Sequence, residues 1–434
     1  MVFAIRYSVM EIDMRLVSTR TAAALSGSLA LAMSVSANAA VDAKLLDMLR
    51  ANGSINQAQY AELQTELAKD QQAQKQALAD IQQSKSASQA EFEKKIAWAT
   101  KTQFKGDVRV RQETINIDGQ TNSQDKDRQR IRARLGAYTE INPQVSTGIR
   151  IASGGTTGDA RSTNVDLDNY FAKKDLWLDL GYIDYAPTAV KNLHVIGGKM
   201  LQPWVSMGDV IWDGDINPEG LAATYSYPLG GKTELFGSAG HYTLKDNIDG
   251  DGTQFRHDLS MYAGQLGARF APTDDLKVTL GGSMYGFRND KDSAALRVNG
   301  NTTNQFRLYE GFGQIDIGGL GLPLALYGQY IVNNDSTDDQ DTAWLTGVKT
   351  KVFGFNLDYN YRDTQRNAVV GAFTDSDFAN GTTGSRGHKL KVGYEIDKNF
   401  SVGATYFLTK ADYATTTMRD ADANTLQLDM EAKF

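Results

Sequence analysis

From residue 101 to the C-terminus, apolar and polar positions alternate. Val108 and Val110 are interleaved with Asp107, Arg109, Arg111 and Glu113. Ile131, Ala133 and Leu135 are interleaved with Arg128, Arg130, Arg132 and Arg134. The same period runs through 176–182, 276–280, 355–361, 390–396 and 400–408. The last ten residues keep it: Leu426, Leu428, Met430, Ala432 and Phe434 share one parity, and Gln427, Asp429, Glu431 and Lys433 the other. Successive side chains of a strand point to opposite faces, so each stretch predicts a strand with one apolar and one charged face.

The joints between these stretches come in two lengths. Short turns fall at 142–143, 187–193, 228–232, 272–275, 318–322, 353–354 and 397–399. Long loops rich in Gly, Asn, Asp, Ser and Thr fall near 117–127, 154–173, 201–218, 245–257, 289–304, 333–341, 363–386 and 409–421. Regular alternation of long and short predicts an all-β transmembrane barrel of about sixteen antiparallel strands in roughly 330 residues. A barrel keeps no edge, as hydrocarbon demands, because every backbone polar group at that depth needs a partner. A soluble sandwich has no reason to alternate its loop lengths, and a propeller would repeat a blade motif that is absent here. The last strand is expected to pair with the first, near 104–113. Tyr138, Tyr182, Tyr225, Tyr227, Tyr330, Tyr394 and Tyr406 lie near strand ends and are expected in interfacial girdles.

Ahead of the barrel the period changes. Arg15 and Arg20 lead into an apolar, small-residue run at 21–35, followed by S-A-N-A-A. This reads as a signal peptide over 1–39, cut after Ala39. Glu11 and Asp13 fit a leader poorly, which makes Met14 an alternative start. Residues 40–100 read as helix: Leu45, Leu46, Met48 and Leu49, a stop at Asn52-Gly53, then Gln-, Ala-, Lys- and Glu-rich sequence without Pro or Gly as far as Gly106. Tyr60, Leu63, Leu67, Ala77 and Ile81 keep a heptad-like spacing, which Asp70, Gln74, Ser84 and Ser88 interrupt. A weak coiled coil between copies of the chain and a lone solvated helix both fit.

Composition narrows the chemistry. The net charge is -7 and no long basic run exists, which argues against nucleic acid. Cys is absent, so disulfides and thiolate metal sites are excluded. Mean hydropathy is -0.40, yet a barrel escapes that measure because each strand gives only half its residues to lipid. His194, His241, His257 and His388 form no metal-spaced pair, and no cofactor or enzymatic constellation is expected. Asp246, Asp249 and Asp251 form a weak Ca²⁺ candidate that lacks the terminal Glu of an EF-hand and reads better as a solvated turn.

The charged positions carry most of the functional signal. Arg109, Arg111, Arg128, Arg130, Arg132, Arg134 and Arg150 share one parity over three strands, and Lys199 stands on a similar face before the third long loop. Arginine facing lipid at the midplane costs about 2–4 kcal/mol, so these side chains are expected in the lumen. The third loop mixes Trp204, Val205, Ile211, Trp212 and Ile216 with Asp209, Asp213, Asp215 and Glu219. Folding against the inner wall would account for its apolar residues; a latch between subunits is the alternative. Arginines across from these carboxylates would set up a transverse field, whereas Asp107, Glu113 and Asp179 could neutralise them locally.

Several features together resemble the trimeric general porins of bacteria, and more closely the "putative porin" family. They are the leader, the segment L-L-D-M-L-R-A-N-G-S-I-N-Q-A-Q-Y at 45–60, G-G-K-M-L-Q-P-W at 197–204, and the terminal Phe434. The resemblance covers nearly all of the mature chain; the general porins' usual acidic loop motif is not present verbatim. It implies a passive outer-membrane channel for small hydrophilic solutes and ions, with the helical segment in the periplasm and the third loop in the lumen. A channel specific for an oxyanion or sugar, or a structural barrel whose stalk contacts peptidoglycan or a periplasmic partner, are the alternatives. It further implies a homotrimer, contact with outer-membrane lipid and lipopolysaccharide, and a barrel-assembly machinery that reads Phe434.

Overall fold

The computed structural model describes residues 44–118, 125–155, 158–246, 258–292, 294–412 and 421–434. The leader at 1–39 and Asp249 and Asp251 lie outside the described residues. The chain divides into two units, Met1–Ala97 and Trp98–Phe434. In the first, a short helix α1 (44–51) precedes the long helix α2, Gln57–Thr100. Tyr60 ties them together: its hydroxyl donates to Asp47 at 2.6 Å, and the Arg50 guanidinium lies 4.8 Å from its ring centroid. Leu63, Leu78, Ile81 and Phe92 of α2 are exposed. No described helix is long and apolar enough to cross a membrane, a test that does not bear on strands.

The second unit is a closed sheet. Its strands are β1 (Thr102–Ile117), β2 (Lys126–Asn142), β3 (Val145–Gly154), β4 (Val165–Asp166), β5 (Asp175–Tyr185), β6 (Leu193–Lys199), β7 (Glu219–Gly230), β8 (Thr233–Lys245), β9 (Leu259–Thr273), β10 (Leu276–Arg288), β11 (Arg307–Ile317), β12 (Leu324–Asn333), β13 (Thr342–Val352), β14 (Phe355–Thr364), β15 (Ser385–Glu395), β16 (Phe400–Ala411) and β17 (Ala421–Lys433). β4 has two residues and pairs only with β2, at Arg130 and Ile131, on the edge that β3 leaves free beyond Arg134. The other sixteen form the wall, each antiparallel to its neighbours, and β17 closes on β1 with Asp107 opposite Lys433 and Ile117 opposite Ala423. Phe434 extends this seam, exchanging two 3.0 Å backbone hydrogen bonds with Gly106.

The period of two decides which face meets what. On β17, Leu426, Leu428 and Met430 are exposed on the outer face, while Gln427 is buried inside. Leu221, Leu235, Leu266, Leu280 and Leu326 continue the apolar exterior. Of the tyrosines expected in girdles, Tyr225, Tyr227, Tyr330, Tyr394 and Tyr406 face outward. Tyr138 and Tyr182 do not; both share the inward parity, Tyr138 with the β2 arginines and Tyr182 beside the buried cluster under the third loop. A bulge accounts for Tyr182: the β3–β5 register slips between Arg150 and Ile151, so Asp179 and Leu180 are both buried while Leu176 and Leu178 stay exposed. An extra residue in one strand reverses the parity beyond it.

The core is not in the wall but within the ring. Loop 3 (200–218) and loop 7 (365–384) supply Trp204, Val210, Ile211, Trp212, Ala368, Val369 and Val370. Inward residues of the wall, among them Tyr242, Met261, Tyr285, Leu308, Ile331 and Leu345, complete the cluster.

Candidate functional site

Loop 3 is aimed by its stem. Gly198 has φ of +119°, and a Cβ there would run into the Gly181 carbonyl, so the chain can leave β6 at this angle only with glycine. Lys199 then binds Glu219 at 2.6 Å and the Asn217 carbonyl at 3.3 Å, drawing the two ends of the loop together. The first half of the loop lies on the wall. Trp204 packs edge-on to Tyr242 and Tyr285 at 5.6 Å each, and Trp212 stacks on Phe373 of loop 7 at 5.3 Å. Each tryptophan hides about 200 Å² of surface, on the order of 5 kcal/mol apiece as an upper estimate. Gln265 of β9 fixes the backbone: its Oε1 accepts from Val205 N at 2.8 Å and its Nε2 donates to Val205 O at 2.9 Å. Behind Gln265 lie Ser283, at 3.0 Å, and Glu310, which accepts from Ser283 at 2.8 Å.

From there the loop crosses the lumen. Asp209 meets Lys389 of β15 at 3.3 Å, whereas Asp215 meets Arg134 of β2 at 3.5 Å and Thr163 of loop 2 (155–174) at 3.1 Å. Between these anchors Asp213 accepts from Ser376 N of loop 7 at 2.8 Å and from Asp215 N at 2.9 Å. Burial, with Asp375 and Asp209 close by, pushes the Asp213 carboxyl well above the usual carboxylate range. Loop 7 is held in turn by Asn367, whose Nδ2 reaches Asp338 and Thr302, and by Asn301, whose Oδ1 accepts from Gly371 N at 2.6 Å.

The arginine ladder lies on the inner wall of β1, β2 and β3, and most of it is paired there. Arg111 binds Asp429 at 2.7 Å and Asp377 at 3.0 Å. Arg128 and Arg130 share Glu113 and Asp166. Arg132 binds Asp107 at 2.8 Å and Glu431, Arg134 binds Asp107 at 2.8 Å, and Arg150 binds Asp179. Arg109 differs: its Nη2 donates to Asn164 at 2.7 Å, its Nε is buried without a partner, and it has no ion pair among the described residues. Arg109 borders a chamber of about 1180 Å³ that Lys391, Lys349, Asp358, Asp429 and Glu431 also line.

Of the residues singled out from sequence, Arg134 and Asp215 meet directly, Lys199 and Glu219 meet at the loop stem, and Asp209 and Asp213 meet neither the ladder nor each other. Sequence reasoning missed the facing set on β13–β15 and loop 7: Lys349, Arg362, Lys389, Lys391, Asp375 and Asp377. The signal existed for the strand members, which alternate with Tyr361, Leu390 and Val392. Trp177 and Phe407, which have inward parity by sequence, form no aromatic track. Trp177 is exposed beyond the β5 bulge and Phe407 is buried edge-on to Phe378. Among the described residues no group of three His, Asp or Glu side chains could hold a metal.

The family model described as "Putative porin" matches residues 116–308 and 329–434. The chain belongs to that family. As a porin-type barrel it lies in the bacterial outer membrane, with long loops outside and short turns in the periplasm. The fold is similar to that of OprB from Pseudomonas putida in its high-pH structure, at 12% identity and a TM-score of 0.51, over 79% of this chain and 96% of that one. It is also similar to Salmonella typhi OmpF in complex with daunomycin, at 12% identity and a TM-score of 0.47, over 77% of this chain and 97% of that one. A stretch of 32 residues is 78% identical to phosphate starvation-inducible protein 1 of Pseudomonas fluorescens, which is 7% of this chain and 82% of that protein.

Proposed function

We propose that this porin is a passive diffusion channel for small hydrophilic solutes and ions. One observation carries the reading: a sixteen-stranded ring encloses a chamber of about 1180 Å³ lined by charged side chains of both signs, beneath an inward-folded loop. Charge of both signs orients polar solutes and disfavours apolar ones. In this reading Arg109, Arg134, Lys199, Asp209 and Asp215 border the narrow part, and the remaining ladder arginines stiffen its wall through their ion pairs. The chain acts as a homotrimer after removal of 1–39, with α2 in the periplasm, where its exposed Leu63, Leu78 and Ile81 pack against copies of the same helix or lie near peptidoglycan. Planar-bilayer recording in KCl tests this. Ohmic steps in groups of three are expected; folded protein that never conducts overturns it.

A second reading makes the channel selective for an oxyanion. The name of the Pseudomonas fluorescens relative, phosphate starvation-inducible protein 1, favours it. Phosphate would then block KCl current at millimolar concentration, and Arg109→Ala would relieve the block.

A further inference from the structure

The elbow of loop 3 leaves a second, smaller space. A cavity of about 200 Å³ lies between residues 206–209 and the inner faces of β12–β15, and it shares Lys349 and Asp358 with the large chamber. We infer that this cavity binds a small zwitterion, an α-amino acid, with Lys349 and Asp358 at its mouth; the inference rests on the reading of the barrel as a channel.

Unmet polar atoms are concentrated here. Asn360 Oδ1 and Arg362 Nε are buried without a hydrogen-bond partner, Asp375 Oδ2 makes only 3.6 Å ion-pair contacts with Arg362 and Lys389 and no hydrogen bond, and all three residues line the cavity. Their side chains are more than nine-tenths buried: Asn360 is 6% exposed, Arg362 3% and Asp375 5%. Just behind Gly208 of the elbow, Gln329 has neither its Nε2 nor its Oε1 satisfied. A buried polar atom left unpaired is costly, so a cluster of them marks a place that a polar guest or water completes.

The charges select the guest. The lining carries three cations, Lys349, Arg362 and Lys389, and three carboxylates, Asp209, Asp358 and Asp375. Inside, they are matched: Lys389 meets Asp209 at 3.3 Å and Asp375 at 3.6 Å, and Arg362 meets Asp375 at 3.6 Å. At the mouth, they are not. Lys349 and Asp358 are opposite one another on β13 and β14, yet no ion pair joins them. Lys349 Nζ sits 4.3 Å from the Tyr327 ring centroid, and the Tyr327 hydroxyl donates to Asp358 at 2.6 Å. Tyr327 thus keeps the Lys349 ammonium and the Asp358 carboxylate side by side without an ion pair between them. A simple anion entering would face three carboxylates, and a simple cation three positive heads. A zwitterion meets neither cost, because its carboxylate reaches Lys349 and its ammonium reaches Asp358 and the unmet acceptors within.

Current through purified protein in KCl, with L-serine added, tests the assignment. L-Serine is expected to lower conductance saturably, whereas glycerol, an uncharged solute of similar size, and phosphate are not. Lys349→Gln and Asp358→Asn, which keep side-chain size, are each expected to raise the half-blocking concentration about tenfold, the loss of one charge-assisted contact. Heat-modifiable gel mobility checks that both variants fold. The proposal is overturned if L-serine acts like glycerol, as a water-filled cavity would have it; if phosphate is the saturating blocker; or if neither substitution moves the half-block. Should the barrel pass no KCl current, the channel reading fails by itself. Calorimetric titration of L-serine into detergent-solubilised wild type and Asp358→Asn then decides the site: heat from wild type alone supports it, and no heat overturns it.

Discussion

Arg111 concentrates what single side chains do in this molecule. It grips Asp429 through two bonds, 2.7 and 2.9 Å long, and Asp377 through a third at 3.0 Å. Breaking a buried pair by deleting one partner costs about 3–5 kcal/mol, since the remaining charges lose their compensation. Arg111→Ala is therefore expected to lower the thermal unfolding midpoint in detergent by many degrees, and an unchanged midpoint would contradict it. The loop carboxyls give a pH response of opposed signs. Burial pushes Asp213 up, so its contribution is full below the ordinary carboxylate pKa of about 3.9 and fades as pH rises through the raised value. Burial would raise Asp377 too, but the Arg111 guanidinium outweighs it and holds that carboxyl down, so its contribution fades only as pH falls below the ordinary range. Acidification from pH 7 to 5 thus acts through Asp213 alone of these two and tightens the loop junction. Wild type is expected to melt higher at pH 5 than at pH 7, and Asp213→Asn to show a flatter profile; equal slopes would refute the assignment. The charged faces were legible in the sequence. Their partners were not: nothing local announces that Arg111 will meet a carboxylate 318 positions away.

At the scale of elements, loop 3 is an apolar strap pinned at a few points. Gln265 satisfies both backbone groups of Val205. Gln265→Leu keeps the volume roughly but leaves a buried N–H and C=O unpaired, at about 1–3 kcal/mol each. The loop is then expected to detach intermittently, seen as added open-channel noise and flicker in single-channel records; quiet traces would count against the clamp. Strand positions and loop lengths were readable because alternation and turn chemistry are local signals. The slip in β5 was not, since one residue without a partner looks like any other in a hydrophobic run. Trp204, Val205, Ile211 and Trp212 flagged loop 3 as unusual for a surface loop. Loop 7 gave less warning: Ala368, Val369 and Val370 are small, and Asn367 works through hydrogen bonds that no spacing rule reveals.

For the whole molecule, one closed sheet leaves no edge, and its final residue takes part in the closure. Phe434 is mostly exposed, and its backbone pair with Gly106 adds one rung to a seam already eleven pairs long. Deleting it is expected to reduce outer-membrane levels severalfold while conductance per inserted barrel stays near wild type; normal levels on immunoblots of outer-membrane fractions would argue against a role in assembly. The sixteen-strand ring was legible in the sequence because it follows from counting loops. The site was only half legible, because the lumen is assembled from strands far apart in the chain and parity gives a face but no neighbour.

The seam also has a history in time. Arg111 and Arg132 stand near the start of the barrel, and Asp429 and Glu431 in its last strand, so these locks join residues 318 and 299 positions apart. No such pair can exist until synthesis and export have delivered the far end. Contacts of this reach are the slowest to form. An unfinished barrel therefore leaves Arg111 on its leading hairpin without Asp429 and Arg132 with Asp107 alone, and the arrival of the acidic final strand is both a geometric and an electrostatic event. The ring is a clasp whose two halves lie 318 and 299 residues apart in the chain and engage last, which sets the order in which the molecule can become a pore.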